Sequence, residues 1–267
     1  MAFQMNSDMP RRWLTAAVLG AGVGVAAWRR GALSPSGAAG AAAVGTAVFG
    51  GGGPRASALL LLFFGSSTAL SRSSRLAGAE RAGPRRALAQ VLANGGVPAA
   101  LALLSVRGRS PRVMAAYAGA LAAANADTWA TEIGRRSATP PRMITNGQVA
   151  QPGVSGAITP LGTLASLGGA AVIGAAHALL ASSRPTAALT IATAGASGAL
   201  ADSLLGATLQ GVYVCRLCAQ RTEDRTHHHE ANPPALTLVR GLPLMTNDAV
   251  NLCASLTGAL LGAAFER

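Results

Sequence analysis

What most constrains this chain is the length of its uncharged stretches. No Asp, Glu, Lys or Arg occurs in residues 31–54, 87–106 or 249–265, and residues 143–183 form a charge-free run of 41. A bilayer core takes roughly 20 apolar residues per helix and leaves no backbone group for water to satisfy, so repeated runs of this kind fold as spanning helices. Composition agrees: 50% of residues are hydrophobic and 12% charged, where a soluble domain carries about a quarter charged residues. The expectation is an all-α fold, a polytopic transmembrane helix bundle of about 7–8 helices with glycine/alanine-rich packing, forming one integral-membrane domain over residues 1–267. The spans are placed at 13–28, 33–53, 56–71, 87–105, 111–131, 157–181, 186–209 and 245–264. The second, rich in Gly, Ala and Ser, is the least typical. Arg11 and Arg12 faintly resemble an export signal, but apolar segments continue down the chain, so the first is expected to stay as a helix.

All 22 basic residues are arginine. That excludes a Schiff-base lysine and a Walker-type phosphate lysine. The net charge of +12 falls between apolar segments, not on a basic face interleaved with aromatics, so no nucleic-acid partner is expected. With eight spans, 14 arginines fall on one side and 8 on the other. The positive-inside rule then places both termini outside and the loops at about 72–86, 132–156 and 210–244 in the cytoplasm, with the protein integral to the membrane, the plasma membrane in a prokaryote.

Carboxylates inside membrane segments are costly, so each is a functional candidate. Asp127 and Glu132 close the fifth span, Asp202 lies in the seventh and Asp248 opens the eighth, all at cytoplasmic ends. These four are the candidate catalytic residues. Asp127, Asp202 and Asp248 are candidate ligands for Mg²⁺, a hard cation that bridges phosphates, and Asn94, Asn125, Asn247 and Asn251 supply neutral polar groups nearby. Asp127 and Glu132 are five residues apart, about 140° around a helix, so both face one ion only if the helix ends there. The bland alternative has these acids pairing with loop arginines. In the loop at 132–156, Gly153 and Gly156 of a Pro-Gly-x-x-Gly segment let backbone amides approach an anion, and Arg142 and Thr145 can hold phosphate oxygens. Cys215 and Cys218, with His227, His228 and His229 downstream, are sufficient ligands for tetrahedral Zn²⁺. Their alternative is a reduced thiol pair beside an incidental histidine run.

Taken in order, FFGSS (63–67), QVLANGG (90–96), ANADTWATEIG (124–134), PRMIT (141–145), PGVSGAITPLGTLAS (152–166), ADSLLGATLQ (201–210), CRLC (215–218), TEDRTHHHE (222–230) and LMTNDAVN (244–251) resemble one integral-membrane family. This is the family of domain of unknown function ninety-two, which includes plant phytyl-phosphate kinase. The resemblance spans about residues 60–255. It implies transfer of a phosphoryl group from a nucleoside triphosphate, CTP or another, to a polyprenyl monophosphate with Mg²⁺ in prenyl-lipid metabolism. Asp127, Asp202 and Asp248 would then bind metal, Arg86 and Arg142 would neutralise the transferred group, and Glu132 would orient it. The family's cysteine-rich loop often carries a third thiol, where His228 or His229 stands here. The expected partners are the lipid bilayer, an isoprenyl phosphate and a nucleotide. Two other functional classes are a membrane transporter, with sites near the midplane, and a non-catalytic membrane scaffold acting through the Cys/His loop.

Overall fold

A computed structural model describes residues 8–76, 85–106, 108, 110–182, 184–224 and 236–266. The described residues form eight α-helices: α1 (Asp8–Arg29), α2 (Pro35–Ala47), α3 (Gly53–Leu76), α4 (Leu88–Leu104), α5 (Pro111–Gly134), α6 (Pro160–Ala181), α7 (Pro185–Thr208) and α8 (Asn247–Phe265). Their starts are written locally. Ser34, Thr159 and Thr246 accept hydrogen bonds from the amides of Gly37, Gly162 and Ala249, and prolines open α2, α5, α6 and α7, where a missing N–H costs nothing.

By length and hydropathy, residues 35–73, 160–181, 185–208 and 247–265 are able to cross a membrane, and Leu88–Leu104 is a shorter apolar helix. The first stretch is two helices that run in opposite directions. A side chain at Gly37 would collide with the carbonyl of Arg86, while Ser71, at the far end, accepts a hydrogen bond from Arg86 Nη2 at 3.1 Å. A straight helix would hold positions 37 and 71 roughly 50 Å apart. The reversal is made by a five-residue π-turn, Val48–Gly52, followed by Gly53 at φ 75° and ψ −173°, a conformation only glycine adopts at ease. Segment 33–53 is therefore a full arm of the bundle.

Cross-helix contacts fix the remaining directions. The Tyr117 hydroxyl donates to Ala56 O, Ser66 to Asn125 and Ser71 to Glu132, so α3 and α5 are parallel. Gly20 and Gly24 abut Ala42 and Ala38, whereas Gly95 abuts Val44 and Gly51 abuts Ala102, so α2 is antiparallel to α1 and parallel to α4. Successive helices alternate in direction. The described turns at 30–34, 135–159, 209–224 and 236–246 gather on one face with the start of α4, opposite Gly53, the end of α4 and the end of α6.

The loop-bearing face also carries β-structure that apolar spacing did not foretell. Strands β1 (Arg142–Met143) and β2 (Ala157–Ile158) pair antiparallel, and β3 (Val212–Cys215) is flanked by β4 (Arg221–Thr222) and β5 (Leu236–Arg240).

The core is α5, which packs on α3, α4, α6, α7 and α8. From Ala115 to Ala126 it is fully buried, mostly as alanine and glycine, while Leu164, Leu179, Leu189 and Leu260 are at least 67% exposed. Small inside and leucine outside is the arrangement lipid favours, since tails are as apolar as leucine and association comes from close packing. At the α5/α8 crossing a Cβ on Gly119 would stand 2.2 Å from the carbonyl of Gly258. Gly119→Val is therefore expected to cost more than about 2 kcal/mol, read as a lowered unfolding temperature in detergent, whereas Gly65→Ala, in open space, should leave it within a degree or two.

Candidate functional site at the loop-bearing face

A cavity of about 880 Å³ opens between the helices near this face. Asp127 stands seven residues before the end of α5, Asp202 six before the end of α7, Asn94 six after the start of α4 and Asn251 four after the start of α8. At 1.5 Å per residue these side chains start roughly 6–11 Å inside their helix ends. All four line the cavity, with Glu132, Asn247, Gly153, Gly156, Arg86 and Arg135.

The carboxylates of Asp127 and Asp202 are close enough to repel each other, and Arg86 is close enough to Asp127 to offset its charge. Asp202 Oδ2 is buried and has no hydrogen-bond partner among the described residues. A buried charge held against a like charge with an orphaned oxygen is unfavourable without a cation. Two carboxylates would suit Mg²⁺, a hard cation that is commonly held by one or two protein acids together with substrate phosphates. Among the described residues, no group of three or more His, Cys, Asp or Glu side chains is arranged for a metal.

Glu132 faces a different part of the wall. Its Oε1 accepts from Ser71 Oγ at 2.6 Å, Ser71 accepts from Arg86, and Arg135 Nη1 lies 3.9 Å from Oε2. Arg86 thus sits between the two acids of α5, which the helix keeps apart since it runs on to Gly134. Away from these groups the cavity becomes apolar. Val44 and Phe49, Leu60, Phe63 and Phe64, and Val91 line a limb between α2, α3 and α4.

Other candidates lie elsewhere. Asn125 is fully buried; its Nδ2 donates to Gly169 O at 2.8 Å and its Oδ1 accepts from Ser66 at 2.9 Å. It ties α5 to α3 and α6 and does not line the cavity. Arg142 donates to Gly147 O at 2.8 Å and closes its own turn, with Thr145 exposed on that turn. Asp248, in the first turn of α8, is near Asp224 and off the cavity wall. Of the three carboxylates expected to hold Mg²⁺, two line the cavity, because Asn247 and Asn251, not Asp248, occupy the face of α8 that lines it.

Cys215 and Cys218 begin and end the turn between β3 and β4, outside the cavity. Burial opposes ionisation of Cys215, yet the N–H groups of Cys218 and Leu217 and the Cys218 thiol hydrogen-bond its sulfur and hold its pKa below the usual thiol value. A sulfur so placed can ligate a soft metal, but two thiols are half of a tetrahedral set; His227 and His228 lie outside the described residues.

Ser71, Arg135, Ser155, Gln210 and Glu223 were not singled out in the sequence. Ser67 and Ser71 form a polar i, i+4 stripe on an apolar helix, a signal that was available. Glu223 lies in the TEDRTHHHE stretch that resembles the family, but a polar loop without periodicity does not show which groups it meets.

The family model for integral membrane protein DUF92 matches residues 18–259, a span that holds every residue lining the cavity. The chain belongs to this family. An uncharacterised membrane protein of Methanocaldococcus jannaschii is 40% identical over 125 residues, 47% of this chain and 52% of that protein. The chain thus spans about half the length of that relative. Protein PGR of Arabidopsis thaliana is 26% identical over 204 residues, 67% of this chain and 68% of that protein. No solved structure matches.

Asn125 and Asp202 should separate structural from functional polarity in this DUF92 chain. Asn125→Ala removes both side-chain bonds that tie α5 to Ser66 of α3 and to the Gly169 carbonyl of α6 and is expected to lower stability by about 1–2 kcal/mol. Asp202→Asn removes a buried acid that stands beside a second one and has an oxygen without a partner, and should raise the unfolding temperature of the ligand-free protein. Thermal unfolding of both variants in one detergent checks the opposite signs; a destabilised Asp202→Asn would count against an uncompensated acid there.

Proposed function

We propose that this chain is a membrane-embedded phosphotransferase that passes a phosphoryl group from a nucleoside triphosphate to an isoprenyl monophosphate. One observation carries the proposal: a repelling carboxylate pair with an orphaned buried oxygen lies in the same cavity as two arginines and an apolar limb. Such a cavity suits an amphiphile with an anionic head, and the family resemblance supplies the phosphate and the prenyl tail.

The tail would lie against Val44, Phe49, Leu60 and Phe63, shielded from water, with its phosphate toward Arg86 and Arg135. An oxygen of that phosphate attacks the terminal phosphorus of the donor. A new P–O bond forms as the bond to the bridging oxygen breaks, and the nucleoside diphosphate leaves with the electron pair. The acceptor is already an anion, so no general base is needed. The protein's work is positioning and charge stabilisation. Asp127 and Asp202 would hold Mg²⁺, which when bound neutralises charge on the donor phosphates. Glu132, fixed by Ser71 and Arg135, holds Arg86 in place. Among the described residues the arginine excess lies in the segments gathered at this face, which supports a cytoplasmic site, where nucleotides are found.

Purified protein incubated with geranylgeranyl or phytyl monophosphate, Mg²⁺ and each of CTP, ATP, GTP and UTP is expected to form the lipid diphosphate. Asp127→Asn and Asp202→Asn should each lower the rate by about 100-fold or more, while Asp248→Asn stays within a few-fold of the parent. Folded protein that forms no product with any donor would favour the transporter class, to be checked by substrate flux into liposomes.

A further inference from the structure

One group of contacts on the cavity wall takes no part in the proposed transfer. Ser155, in the loop between β1 and β2, donates its backbone N–H to Glu223 Oε1 at 2.9 Å and its hydroxyl to Oε2. Gln210 Nε2 donates to the same Oε2 at 2.8 Å and lies 2.9 Å from the Ser155 hydroxyl. Three donors from two distant segments converge on a single carboxylate, and both Ser155 and Glu223 line the cavity.

The donors are anchored and the carboxylate is not. Gln210 is 1% exposed, just past the end of α7, where its own N–H bonds Leu205 O. Ser155 precedes Gly156, whose φ of 81° and close approach to Ala207, only 2.4 Å from a Cβ placed there, lock the loop onto α7. The Ile144 amide donates to Gly156 O and fixes the other side. Glu223 follows a two-residue edge strand and reaches the donors through its side chain. A rotamer change releases it, whereas moving Ser155 or Gln210 would disrupt the end of α7.

Convergent N–H and O–H donors recognise oxyanion lone pairs and charge, so a carboxylate and a phosphate can exchange in one nest. The wall also carries Asp127, Glu132, Asp202 and Glu223 against Arg86 and Arg135. A phosphate arriving there meets excess negative charge, and withdrawal of Glu223 relieves it as the phosphate enters. We propose that Ser155 and Gln210 form a phosphate-binding subsite and that Glu223 fills it as a built-in substitute, displaced when a phosphate-bearing ligand binds. That the ligand bears phosphate rests on the phosphotransferase proposal; the donor geometry does not.

The sign of one substitution decides between this role and a positioning role, in which Glu223 merely holds the loop. Inorganic pyrophosphate is titrated calorimetrically into full-length protein in lipid nanodiscs with Mg²⁺ present. Glu223→Ala and Glu223→Gln are both expected to tighten binding by about fivefold or more, and Ser155→Ala added to either should cancel the gain. If Glu223→Ala does not fold, Glu223→Gln carries the test, because it keeps an acceptor oxygen for Ser155. Weakened, unchanged or undetectable binding in the variants would overturn the proposal. Lipid diphosphate formation is followed in parallel. Tightened binding with no product would end the phosphotransferase proposal alone, and product formation with unchanged affinity would end this one alone.

Discussion

The structure depends on how closely other helices approach the backbone of α5. Lipid offers no hydrophobic drive for helices to associate, so dispersion between closely placed backbones has to supply the attraction. Gly119 against Gly258, Gly195 against Ala122 and Gly198 against Ala123 and Ala254 all lie too close for an added Cβ. The alanines from Ala115 to Ala126 provide a smooth rod on which α3, α4, α6, α7 and α8 settle. The same packing explains where the cavity is. It opens toward the C-terminal part of α5, where Asp127, Thr128, Thr131 and Glu132 take the place of alanine on the cavity wall.

That opening concentrates polarity where the surroundings screen it least. Two kinds of buried polar group result. Asn125 is satisfied at both ends and locks three helices in register, whereas Asp202 keeps an oxygen without a partner beside a second acid. A satisfied group contributes specificity of packing; an unsatisfied one holds the fold in a state that a ligand improves. Glu132 and Arg86 lie between these extremes. They are joined through Ser71 in a chain that runs across α3, the start of α4 and α5, so the charged lining is braced by the helices that form the apolar limb.

The extramembrane β-structure couples to the same place. Glu223 comes at the end of β4, which β3 positions through the Cys215–Cys218 turn, and its carboxylate meets the loop before α6. The sheet is therefore tied to the membrane site by side-chain contacts, and the distance in sequence between residues 155 and 223 is bridged by α6 and α7 running out and back across the bundle.

Periodicity and the spacing of charge were enough to place eight helices, because a bilayer admits few alternatives and an uncharged run of sufficient length has one stable fate. Helix directions followed as well, and so did the gathering of Asp127 and Asp202 at one face. Which side of α8 lines the cavity was beyond sequence: Asn247 and Asn251 face it and Asp248 does not, a choice set by the rotation that lets Gly258 and Gly262 meet α5. The pairing of Glu223 with Ser155 and Gln210 was equally hidden, since loop residues have no period and their partners are chosen by where distant helices end. Solvent dictates which segments cross; steric fit between helices dictates which side chains meet.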